Sequence, residues 1–76
     1  MTRRARPEKT HREWCAQHGV DAVRMFDALC MRHAYNPEDA VTLVGWVVWK
    51  AHRESKPPVF DAAATISAFN RIRRPA

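Results

Sequence analysis

The stretch CAQHGVDAVRMFDALCMRH, residues 15–33, contains C-x-x-H twice, as Cys15 with His18 and as Cys30 with His33. Thiolate and imidazole are the ligands zinc prefers, and four of them close a tetrahedral site. The same stretch also fits the loose frame of a helix-turn-helix, with small Cys15, then Gly19, then apolar Val20, Met25 and Ala28. A third reading is plainer: a helical hairpin whose core holds buried Cys and His.

At 100° per residue, His11, Trp14, Cys15 and His18 share one face of a first helix. Cys30 and His33 fall with Ala22, Phe26 and Leu29 on the apolar face of a second. All five candidate ligands are therefore expected to face the core. Height along the helices argues against a simple site. Cys15 lies about one turn back from the bend at Gly19, whereas Cys30 lies about three turns beyond it. The two pairs do not come level. His11, Cys15 and Cys30 remain as metal candidates, short of a fourth ligand, and no metal or cofactor is expected.

A recognition helix should offer polar or basic side chains to base edges near its N-terminus. Here the early positions are Asp21, Ala22, Val23 and Arg24, with Phe26 and Asp27 after them. Two acids would face phosphate. The core hairpin is the expectation for this segment.

Chemistry of the catalytic kind is not expected. The chain has no G-x-S-x-G, no Gly-rich phosphate loop and no H-E-x-x-H. Cys15 with His11 or His18 could be drawn as nucleophile and base, but a monomer of 76 residues has little room for a substrate cleft around them.

The elements that must position these residues follow from caps and breaks. An all-α chain is expected: a compact bundle of four short helices, with residues 7–73 as one domain, a flexible basic arm at 1–6 and a tail at 74–76. Pro7 suits a first helical turn and Gly19 a stop, so the first helix is expected over residues 7–18. Asp21 is expected to cap the second, DAVRMFDALCMRHA. Asn36-Pro37-Glu38-Asp39 combines a cap, a first-turn proline and two acids facing the helix dipole. The helix it opens is expected to reach about Ser55, before Pro57-Pro58. Asp61 can cap a last helix, AAATISAFNRI. The β-branched and aromatic run from Val41 to Trp49 favours strand on propensity alone, but the flanking signals make it helix.

On that third helix Ala40, Val41, Leu43, Val44, Val47, Val48 and Ala51 fill one wide apolar arc. Trp46 and Trp49 lie outside it, beside Lys50 and Arg53, with Thr42 and Gly45 nearby. Three explanations compete. The Trp pair could pack under another helix of the same chain. It could be a hot spot for a protein partner or a homodimer, since Trp and Arg dominate such sites. Or it could be a platform for stacked bases, with Lys50 and Arg53 on phosphates and Gly45 permitting close approach.

Charge favours the last. The formal net charge is +5, and it is unevenly placed. Arg3, Arg4, Arg6, Lys9 and Arg12 crowd the start against Glu8 alone, and Arg71, Arg73 and Arg74 stand at the end with no acid. The residues between are slightly acidic in balance. Basic ends on a near-neutral body suit polyanions. The expected function is thus a small accessory or regulatory protein that contacts nucleic acid through Arg3, Arg4, Arg6, Arg71, Arg73 and Arg74, with Lys50, Arg53, Trp46 and Trp49 as a second surface. The alternative is a protein-interaction module, an adaptor or small inhibitor, working through Trp46 and Trp49. The longest apolar run, VTLVGWVVW, is too short to span a bilayer. With no apolar leader and only two cysteines, a cytoplasmic setting is expected.

Overall fold

A computed structural model describes residues 7–73, with side chains from residue 10 to residue 72. The basic residues Arg3, Arg4, Arg6 and Arg74, and the side chain of Arg73, lie outside the described part. The described residues form four helices in a compact all-α bundle: α1 Pro7–Ala16, α2 Val20–Met31, α3 Pro37–Arg53 and α4 Ala62–Arg73.

The α1–α2 bend differs from expectation at both edges. The last turn of α1 tightens into i→i+3 bonds, from the Gln17, His18 and Gly19 amides to the Trp14, Cys15 and Ala16 carbonyls. The regular helix therefore ends at Ala16. Gly19 follows at φ 113°, a conformation that side chains rarely adopt. Gly19, not Asp21, occupies the cap of α2, and no side chain closes that cap. Asp21 sits inside the first turn, where its charge still complements the helix dipole.

α3 begins as its sequence dictates. The Asn36 side chain accepts a hydrogen bond from the Asp39 amide at 2.8 Å, with Pro37 in the first turn. Asn36→Ala removes that acceptor and is expected to destabilise the protein by about 1 kcal/mol, read from the midpoint of urea unfolding. The β-branched run is helical throughout. Ala40, Leu43, Val44, Val47 and Ala51 recur at helical spacing and are all buried. That match between period and core outweighs strand propensity.

α3 ends in a Schellman motif. The Lys56 amide bonds to the Ala51 carbonyl at 2.9 Å and the Ser55 amide to the His52 carbonyl at 3.2 Å, with Ser55 in the left-handed region at φ 56°. The Asp61 carboxylate accepts from the Ala64 amide and caps α4.

The core is built from three helices. Cys15 of α1, the stripe Ala22, Met25, Phe26 and Leu29 of α2, and the α3 stripe close on one another. The guanidinium of Arg12 grips Asp27 through two bonds, 3.1 and 2.8 Å, and so ties α1 to α2 at the surface. α4 lies against α2 and α3 and contributes less. Its Ile66 and Phe69 are half-buried, Thr65 is buried, and Ile72 is exposed.

Candidate functional site

The outer side of α3 carries two cation–aromatic pairs, each one helical turn apart. Lys50 Nζ stands 5.2 Å from the centre of the Trp46 ring, and Arg53 Cζ stands 5.3 Å from that of Trp49. Both distances fall within the ~6 Å over which a ring face attracts a cation. The two cations also lie in the last turn, where they complement the helix dipole. Neither makes an ion pair among the described residues. The ion pairs there are Arg12–Asp27 at 2.8 Å and Arg24–Asp21 at 3.8 Å, both on the α1–α2 side.

The two tryptophans do not share one environment. Trp46 is half-buried and meets the Phe69 ring edge-on, centroids 5.7 Å apart at 76°. α4 thus covers part of it. Trp49, about 60° further round α3, is 53% exposed. Gly45 does permit a close approach, but by a residue of the same chain. A β-carbon there would stand 3.6 Å from the Trp14 ring of α1. Of the remaining basic candidates, Arg71 is exposed on the last turn of α4.

The five Cys and His candidates do not all turn inward. Cys15 is fully buried, and His11 and Cys30 are half-buried. His18 and His33 are exposed, because each falls past the end of its regular helix. His18 instead rests against the Trp14 ring at 4.4 Å. Among the described residues no three His, Cys, Asp or Glu gather closely enough to hold a metal ion.

Burial pushes the Cys15 thiol up to about 11, with smaller contributions from the negative charge of Asp27 and from Cys30. This is the reverse of the electropositive setting that makes a cysteine nucleophilic. Cys15 is expected to resist iodoacetamide at pH 8 in the folded protein and to react once urea unfolds it. Stoichiometric labelling of Cys15 in the native state would contradict this. The same shift sets a pH dependence. The folded chain holds this proton more tightly than the unfolded chain, so the contribution is complete below about pH 9. It is lost as the pH rises through 9 towards 11.

Sequence reasoning passed over a cleft between the C-terminal half of α3, the following loop and α4. Its volume is about 280 Å³. Trp46, Lys50 and Lys56 line it, with Ala64, Thr65 and Ala68 of α4. Thr65 is the buried polar residue among the described ones, at 6% exposure. A signal for it existed: Thr65 shares the face of Ala62 and Phe69 at helical spacing, an odd place for a hydroxyl on an apolar stripe.

The arrangement offers aromatic surface, fixed positive charge and a hydroxyl in one region of the molecule. The chain matches no protein-family model, no curated protein and no solved structure. No helix among the described residues is long and apolar enough to cross a membrane.

Proposed function

We propose that this is a small non-enzymatic accessory or regulatory protein that contacts nucleic acid through its basic ends and the outer side of α3. The observation that supports this reading is the pair of cations set over tryptophan rings, Lys50 on Trp46 and Arg53 on Trp49, with no carboxylate paired to either among the described residues. Such cations are free to move onto phosphates, and the rings they leave can stack on bases. The basic ends extend the same chemistry, and Arg71 is already in solvent. Fluorescence anisotropy with labelled single- and double-stranded DNA and RNA tests it at low salt. Saturable binding is expected, and its absence for every probe would overturn the proposal.

A second reading is favoured by one observation. Trp49 is 53% exposed beside Arg53, and these two residue types dominate protein hot spots. In that case a protein partner or a second copy would cover Trp49. Trp49→Ala would abolish the complex while salt would hardly weaken it.

A further inference from the structure

We infer that the cleft between α3 and α4 is a site for one unpaired nucleobase with its phosphate. This rests on the nucleic-acid reading above and sharpens it to unpaired bases. Three features of the cleft converge. The first is size. At about 280 Å³ it falls just below the ~300–1,000 Å³ typical of ligand pockets, room for one small ring system. The second is shape. Trp46 lines the cleft from α3, and Ala64 and Ala68, with their small side chains, line it from α4. The third is charge. Lys50 and Lys56 line the cleft together and can flank a phosphate carried by that base.

The polar groups fit the same occupant. Thr65 can donate to or accept from a base edge. Two carboxylates also line the cleft, Glu54 and Asp61. Asp61 is already engaged by the Ala64 amide. Glu54 can accept from the exocyclic amino group of adenine or cytosine. Lys50 now rests over the Trp46 ring and must swing away for a base to stack there. Its flexible stem and exposed position let it do so and reach the phosphate. A base paired in a duplex is stacked and cannot enter, so the site selects single strands.

Anisotropy of a labelled short oligoadenylate and of a labelled duplex of equal length tests this, in wild type and in Ala68→Leu, whose added side chain fills the cleft. Adenosine monophosphate is added as a competitor in a separate arm. The expected result is tighter binding of the single strand and a loss of about tenfold or more with Ala68→Leu, the duplex being unaffected. Should Ala68→Leu lower helicity, Ala64→Leu, at an exposed position on the same wall, replaces it. Competition by the mononucleotide that both variants abolish also supports the site and identifies a free nucleotide as an occupant. Equal binding of single strand and duplex, unchanged by either variant, overturns the site while leaving the broader reading intact. No binding of any probe at low salt overturns both.

Discussion

Raising the salt from 50 to 200 mM is expected to weaken the proposed binding to double-stranded DNA by about 10³-fold or more. Eight cations are available for phosphate: Arg3, Arg4, Arg6, Lys50, Arg53, Arg71, Arg73 and Arg74. Each phosphate neutralised contributes about −0.9 to the slope of log affinity against log salt. Replacing the six arginines at the ends with glutamine should leave only what Lys50 and Arg53 provide, a slope of about −2. All six are polar replacements at the ends of the chain, so helicity by circular dichroism should hold. An unchanged slope in that variant would remove the ends from the interface. A flat salt dependence in the wild type would favour a protein partner instead.

The two tryptophans of α3 are expected to separate on truncation. Trp46→Ala removes a half-buried ring from beneath α4 and from the edge of Phe69. A loss of about 2–3 kcal/mol is expected, below the ~3–5 kcal/mol of a fully buried aromatic. A chain of this size has a total stability of only about 4–11 kcal/mol, so a measurable unfolded fraction can follow. Trp49→Ala removes a residue that is 53% exposed, and its stability change should stay within about 0.5 kcal/mol. Its consequence belongs to binding. Parallel urea titrations of the two variants check the contrast, and equal destabilisation would mean that both rings are structural.

That contrast could not be read from the sequence. Helical spacing puts both rings outside the apolar arc of α3; that holds for exposed Trp49 but not for Trp46, which packs against the core, because spacing carries no information on where α4 lies. Once Phe69 is seen against Trp46, one ring belongs partly to the fold and the other to the surface. Gly45 is similar: its lack of a side chain was legible, whereas its neighbour, Trp14, is set by the α1–α3 packing. Local signals did better. Asn36 and Asp61 both cap the helices that follow them, and five of the seven residues of the α3 arc are buried, Val41 and Val48 at its edges being half-buried. Asp21 shows the limit of such signals. A good capping residue two positions past a glycine lost the cap to the glycine, because the backbone turn at Gly19 had already fixed where α2 starts. The inward placement of His18 and His33 failed for a related reason. Both lie past the points where the chain leaves its regular helix, at Ala16 and Met31, so helical periodicity does not apply to them.

The partial burial of α4 has a bearing on motion. A helix that keeps Ile72 in water and holds Ile66 and Phe69 only half-covered is the part of the bundle least anchored to the rest. The buried residues of α1, α2 and α3 form a core of their own, so release of α4 alone is expected to cost less than global unfolding. The cleft lined by Trp46 and Thr65 exists only while α4 is docked. Whatever occupies it therefore binds the closed form alone and, by mass action, lengthens the time that α4 spends in place.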